Sequence, residues 1–180
     1  MPRRRKVFVT SAEHDAFYAA SFPGVFDPAT HRALFALRAV AQLVNDRANE
    51  WLTPLGINVG KYGYLVTLEA APRKRLRFND LGRSMHTTNA SVTTMIQSLE
   101  HDGLVRRVAN PDDARSSLAQ LTAAGSRLAR RAVAIQHEHM ERALRTFPPA
   151  KRERLTALLI ALGGALQADI DATDDAASDS

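Results

Sequence analysis

The sequence predicts a mainly α-helical fold carrying one small β-hairpin. Three observations predict it. Apolar residues recur at helical spacing through most of the 180 residues. Proline marks the breaks between those stretches, at Pro23, Pro28, Pro54, Pro72, Pro148 and Pro149. Near the middle, the turn-forming run Asn110-Pro111-Asp112-Asp113 separates two short stretches of strand character.

From the N-terminus, residues 1–28 read as a basic arm. Arg3, Arg4, Arg5 and Lys6 form a charge block, and Thr10 or Ser11 is placed to cap a short helix holding Phe17 and Tyr18. A loose basic terminus and an ordered helix both fit this stretch. From Thr30 to about Leu52, the residues Leu34, Leu37, Ala41, Val44, Ala48, Trp51 and Leu52 form one helical stripe, ended by Thr53, Pro54 and Gly56. A second helix, Val59 to Ala70, turns Tyr62, Leu65, Val66 and Leu68 inward before Ala71 and Pro72 stop it. The linker that follows carries Arg73, Lys74, Arg75 and Arg77, with a brief strand expected from Leu76 to Phe78.

Asn79 or Asp80 is placed to cap a short helix with Leu81 and Met85 inward. His86 and Thr87 form a turn. Thr88 is a good N-cap for the next helix, because its hydroxyl can accept a free backbone N–H. In that helix Val92, Met95, Ile96 and Leu99 pack inward, leaving Asn89, Ser91, Thr93, Thr94 and Gln97 on the other side. Asp102 and Gly103 close it. The hairpin strands are expected at Leu104 to Val108 and Ser116 to Leu121, with Arg115 beside Asp113 near the tip. Thr122 then caps a long helix whose stripe is Leu128, Ala132, Ile135, His139 and Ala143, reaching Phe147. After Pro148 and Pro149, a last helix from about Ala150 to Ile170 carries Leu155, Leu158, Leu159, Leu162 and Leu166 on one side. The first long helix and the last two are amphipathic beyond what so small a domain can cover. Packing between two copies of the chain would cover them, an intramolecular bundle being the alternative.

Two helices joined by a turn of a few residues match the helix-turn-helix plan, in which the second helix lies in the major groove. Short amide and hydroxyl side chains suit that place: Asn and Gln pair with adenine, and Thr methyls touch thymine methyls. An arginine held by a neighbouring carboxylate, as Arg115 by Asp113, suits the negative potential of a minor groove. Alone, that pair would read as an ordinary surface ion pair.

The run from Leu81 to Gly125 resembles the winged helix-turn-helix of the multiple-antibiotic-resistance regulator (MarR) family. The resemblance rests on Leu99-Glu100-His101-Asp102-Gly103-Leu104-Val105 at the end of the recognition helix, Asp113-Ala114-Arg115 in the wing, and Leu121-Thr122-Ala123-Ala124-Gly125 leading into the next helix. It implies a winged helix-turn-helix domain plus a helical dimerisation region. Within the match, which runs from about Thr30 to Ile170, the expected divisions are a dimerisation helix at 29–56, the DNA-binding domain at 57–121 and C-terminal dimerisation helices at 122–170; a basic arm at 1–28 and an acidic disordered tail at 171–180 lie outside it. It further implies a homodimer on a pseudo-palindromic stretch of double-stranded DNA, most often a repressor released by a small, often aromatic, ligand. Thr88, Asn89, Ser91, Thr93, Thr94 and Gln97 would face the major groove and Arg115, braced by Asp113, the minor groove. Trp51, Tyr62 and Tyr64 lie on helices that would line the family's ligand pocket, and Arg77 could face an anionic ligand, although the aromatic residues also read as plain core. Two departures matter. The recognition helix has Asn89, Thr94 and Ser98 where relatives often carry basic residues, so phosphate contacts would fall to Arg83, Arg106 and the Arg73 to Arg77 linker. His86 stands where the turn usually has glycine.

Composition limits the alternatives. The net charge of +5 and pI near 10.1 favour a polyanionic partner. The body is more basic still, since the last twelve residues hold five aspartates and no Lys or Arg, leaving +10 on residues 1–168. No cysteine is present, which removes disulfides, thiolate metal sites and the thiol trigger of the peroxide-sensing relatives. No apolar run is read as approaching the roughly 20 residues that cross a bilayer, and the basic start lacks a secretory apolar core, so the expected setting is cytoplasmic, without a membrane partner. His137 and Glu141 share a helical face but meet no third ligand, so no metal or cofactor is expected. No nucleophile elbow, phosphate loop or His-Glu-x-x-His pattern occurs, so the chain is not expected to be an enzyme. The rival readings are a non-specific architectural DNA-binding protein and a ligand-binding enzyme reusing the fold.

Overall fold

Seven α-helices and three short strands occupy the described residues, 12–24, 27–110 and 117–178, of the computed structural model. The first helix, α1 (Ala12–Ser21), precedes the Pro23–Gly24 break. Helix α2 (Pro28–Leu52) begins at Asp27, whose carboxylate accepts the Ala29 and Thr30 amides at 3.2 and 2.8 Å, with proline at the first helical position. The Thr30 hydroxyl first, and then these two amides, favour the ionised form and hold the Asp27 carboxyl below its ordinary range. A tight 3-10 turn at Thr53–Leu55, ending on Gly56 at φ 74°, leads to α3 (Val59–Ala70), capped by Asn58 through the Lys61 amide at 2.9 Å. Helix α3 buries Tyr64, Leu65 and Leu68, while Tyr62 and Val66 stay half-buried, so its inner face is turned slightly from the expected one.

The strand β1 (Arg75–Arg77) starts one residue before the expected place, and α4 (Phe78–Ser84) begins at once after it. Neither Asn79 nor Asp80 caps α4: the N-cap is Arg77, with no side-chain cap bond. The sheet explains the shift, because β1 pairs with β3 (Ser117–Leu121) in the register Arg75 to Gln120, Leu76 to Ala119 and Arg77 to Leu118. That pairing spends the strand before Phe78, whose ring packs against the core. Strand β2 (Val105–Ala109) completes an antiparallel sheet of order β1-β3-β2, after α5 (Asn89–His101).

The hydrophobic centre lies where α3, α4 and α5 meet the sheet. Leu52, Leu65, Leu68, Leu81, Val92, Ile96 and Leu99 are fully buried there, with Val105, Ala119 and Leu121 from the strands. Helix α6 (Ala123–Ala143) joins this centre through the small residues Gly125, Ala129 and Ala132. The chain divides into two compact units, residues 1–136 and 137–180. In the second, α7 (Pro149–Ser178) follows a turn in which the Arg152 guanidinium donates to the carbonyls of Leu144 and Phe147 at 2.6 and 2.7 Å. The Leu144 carbonyl also accepts the Phe147 amide at 2.8 Å, so Arg152 reinforces a turn that the backbone already closes.

Helix α7 corrects one expectation and extends another. Within Pro149–Thr173 an 18-residue window has a mean hydropathy of 1.4, so that by length and composition the helix is long and apolar enough to cross a membrane. Thr156, Gly163-Gly164, Gln167, Asp169 and Asp171 interrupt that window, so the sequence shows no unbroken apolar run of such length. The same helix runs past Ile170 to Ser178, because the alanine-rich end holds neither Gly nor Pro to stop it. Its apolar residues are uncovered: Leu155, Leu158, Leu159, Ile160, Leu166 and Ile170 are all exposed, Ile160 by 70%. Leu34, Phe35, Val40 and Val44 on α2 are exposed as well.

Candidate nucleic-acid interface

Helix α5 is fixed at both ends and along its inner side. At its start Thr88 Oγ1 accepts the Ser91 amide at 3.2 Å, and the two hydroxyl oxygens lie 3.1 Å apart. At its end Gly103, at φ 71°, lets the Leu104 amide reach back to the Leu99 carbonyl at 2.9 Å. Glu100 then ties the helix to the sheet: its carboxylate accepts the Arg107 amide at 2.8 Å and Arg107 Nε at 2.9 Å. The Arg107 guanidinium also lies 5.1 Å from the Phe78 ring centroid. With Val92, Ile96 and Leu99 buried, the residues left exposed are Thr88, Asn89, Ala90, Ser91, Thr94, Gln97 and, at the far end, His101, and Thr93 is half-buried.

The turn before α5 carries backbone strain. His86 adopts φ 48°, a left-handed conformation that side chains with a Cβ disfavour. Its amide bonds the Arg83 carbonyl and the Thr87 amide bonds the Gly82 carbonyl, which lock the turn. An open cavity of about 620 Å³ around this turn is lined by Asn79, Arg83, His86, Thr88 and Asn89 among others. It thus brings Arg83, on α4 and 81% exposed, to the same surface as the first residues of α5. Asp80 is 3.8 Å from that guanidinium.

Arg106 projects from β2 and donates to Gln120 across the ladder at 3.1 Å. Asp113 and Arg115 fall outside the described residues. On the other flank of α5 a shallow groove of about 540 Å³ runs between Ser91, Thr94 and Ser98 and the start of α3, where Asn58 and Lys61 line it. Lys61 is ion-paired with Asp102 at the end of α5. Lys61 and Arg107 were not singled out in the sequence and Glu100 only within the family motif; the Lys61–Asp102 pair spans 41 residues, and only the i+3 N-cap pairing of Asn58 with Lys61 gave a local hint.

The basic linker is not uniform. Arg73 and Lys74 both adopt φ 53°, and the second turns inward. Lys74 Nζ donates to Glu69 at 3.0 Å and to Ser126 Oγ at 2.7 Å; Ser126 Oγ and Arg130 Nε each reach the Glu69 carboxylate at 2.7 Å. The Ser126 hydroxyl, the Arg130 guanidinium and Lys74 together hold the Glu69 carboxyl at about 2. Lys74 therefore serves the joint between α3 and α6, while Arg73 and Arg77 stay exposed.

Of the residues singled out for a ligand, Tyr64 is in the core and Tyr62 packs against it, burial pushing both phenols up from their ordinary range. Trp51 is half-buried at the end of α2 and Arg77 is exposed on β1. Neither of the two cavities above is lined by any of these four. His137 and Glu141 stand 3.3 Å apart on the exposed side of α6, and no cluster of three His, Cys, Asp or Glu side chains suited to a metal occurs among the described residues.

The sequence matches the MarR family over residues 57–117. It is 32% identical over 120 residues to the HTH-type transcriptional repressor Rv2887 of Mycobacterium tuberculosis, spanning 66% of this chain and 85% of the relative. The HTH-type transcriptional repressor Mb2911 of Mycobacterium bovis matches to the same extent, at 32% over 120 residues, 66% of this chain and 85% of its own. Among solved structures, AbsC, a MarR family transcriptional regulator from Streptomyces coelicolor, superposes with a TM-score of 0.74 at 22% identity, covering 79% of this chain and 97% of AbsC. Sco3205, a MarR family regulator from the same organism solved in complex with DNA, gives a TM-score of 0.73 at 26% identity, covering 81% of this chain and 92% of its own.

Proposed function

The chain belongs to the MarR family, and from that premise we propose that it is a transcriptional repressor that binds double-stranded DNA as a homodimer. The observation that carries the reading is the exposed, uncharged polar face of α5, locked at both ends and continuous with Arg83 around the strained turn. Such a face suits base edges in a major groove, with arginines beside it for phosphates. Thr88, Asn89, Ser91, Thr93, Thr94 and Gln97 are assigned to base reading; Arg83 and Arg106 to phosphates; Arg115, braced by Asp113, to the minor groove. The uncovered apolar rows of α2 and α7 are assigned to the partner copy, which favours a soluble two-fold assembly over membrane insertion of α7.

Two α5 helices related by a two-fold axis call for a pseudo-palindromic operator with half-sites about one helical turn apart. Release by a small aromatic ligand, with Trp51, Tyr62, Tyr64 and Arg77 near it, completes the reading. The quoted relatives are named as repressors rather than enzymes, and no reaction is assigned to this chain. The test is a footprint on the DNA upstream of the protein's own gene, repeated with a panel of phenolic and antibiotic-like compounds. A protected palindrome lost with one class of compound supports the reading. Equal affinity for that DNA and for random DNA at every salt concentration refutes it in favour of an architectural binder.

A further inference from the structure

The hydrogen bonds inside α5 decide which of its exposed atoms remain able to read a base. Thr93 Oγ1 donates to the Asn89 carbonyl at 2.9 Å, and Thr94 Oγ1 donates to the Ala90 carbonyl at 3.1 Å. A threonine hydroxyl has one proton, so both are spent on the helix itself. The Thr88 and Ser91 hydroxyls share a bond 3.1 Å long, which takes one of their two protons, and Thr88 Oγ1 also accepts the Ser91 amide. Beyond the one proton left to Thr88 or Ser91 and the hydroxyl of the half-buried Ser98, α5 offers the side-chain amides of Asn89, its first residue, and Gln97, which make no hydrogen bond among the described residues, and methyl groups on Ala90 and Thr94, both exposed. Between Asn89 and Glu100 the helix has no Lys or Arg, the residues that most often read guanine.

Resting on the DNA-binding reading above, we infer that α5 selects a half-site with a core of A·T pairs, recognised through thymine methyl groups. Ala90 and Thr94 contact the C5-methyls, while Asn89 and Gln97 bond adenine N6 and N7. Thr94 is the specificity-determining residue on this account, and its methyl, not its hydroxyl, is the reading atom.

Selection of bound sequences from a random duplex pool by the full-length protein gives the half-site. Each thymine in it is then replaced in turn by deoxyuridine, which removes only the C5-methyl and keeps every hydrogen-bonding group. Affinity is measured at fixed salt for the wild type and for Thr94→Ser, a surface change that keeps the hydroxyl and deletes the methyl. The expected result is an A·T core, a loss of about fourfold at one or two thymines for the wild type, and no further loss from the same deoxyuridine in Thr94→Ser. Wild-type affinity indifferent to every deoxyuridine, a G·C core under α5, or full deoxyuridine sensitivity retained in Thr94→Ser each overturns the inference while leaving the repressor reading intact. A pool from which no sequence is enriched overturns the repressor reading itself, and the inference with it.

Discussion

His86 holds a left-handed backbone in the turn that aims α5, although it has the Cβ that makes φ 48° costly. Replacing it with glycine removes that cost, about 1–2 kcal/mol, against about 0.5–1 kcal/mol of extra unfolded-state entropy. His86→Gly should therefore add up to about 1.5 kcal/mol of stability, read as a higher denaturant midpoint with an unchanged m-value. A lower midpoint would mean that the imidazole makes a stabilising contact of its own. Arg83 poses a different residue-scale question, since its guanidinium is exposed and only weakly engaged by Asp80. Loss of a phosphate contact reduces the slope of log affinity against log salt by about 0.9 per contact. Arg83→Ala should show that reduced slope with the base preference unaltered; an unchanged slope would remove Arg83 from the phosphate contacts. His86 was legible in the sequence as a departure from glycine. The inward turn of Lys74 was not, because it depends on Glu69 and on Ser126, a residue 52 positions away.

At the scale of elements, two joints hold α6 to the rest of the fold. One is the start of α6, where Thr122 Oγ1 accepts the Gly125 amide at 3.0 Å and its amide donates to the Leu104 carbonyl at 3.0 Å. A Cβ on Gly125 would lie 2.1 Å from that same carbonyl oxygen, so α6 can approach the hairpin only with glycine there. Gly125→Ala should destabilise by roughly 3 kcal/mol, read as a lower midpoint in denaturant; a neutral result would show that α6 shifts freely at its first turn. The second joint is the Glu69 cluster between α3 and α6. With the carboxyl held at about 2 rather than its ordinary 4.5, its contribution is fully present above pH 4.5 and is lost as the pH falls towards 2. Glu69→Gln should accordingly lower the melting temperature near neutrality, and the gap from wild type should close between about pH 4.5 and 2. A gap that stays constant with pH would assign the loss to packing alone.

For the whole molecule the question is what covers the apolar rows. Leu158 is 60% exposed on α7, and its neighbours Leu155, Leu159 and Ile160 are exposed with it. Burial of such rows between two copies makes folding stability depend on protein concentration. Leu158→Asp should shift the protein from dimer to monomer in sedimentation and weaken operator binding, because one half-site alone is held much less tightly. A dimer that persists with unchanged affinity would place the two-fold contact elsewhere.

Chain-local physics was enough for most of the elements. The extent of α3, the Thr88 cap, the hairpin strands and the polar face of α5 follow from spacing, capping chemistry and turn residues within a few positions of one another. The family motif also rests on such local runs, from Leu99 to Val105 and from Leu121 to Gly125. Tertiary structure alone decided the early start of α4, the burial of Tyr64, the Glu69 joint and the grip of Glu100 on Arg107. Each of these depends on which strand pairs with which, or on which helix lies against which. A hydrogen bond across 52 or 57 residues leaves no period in the sequence from which it could be read.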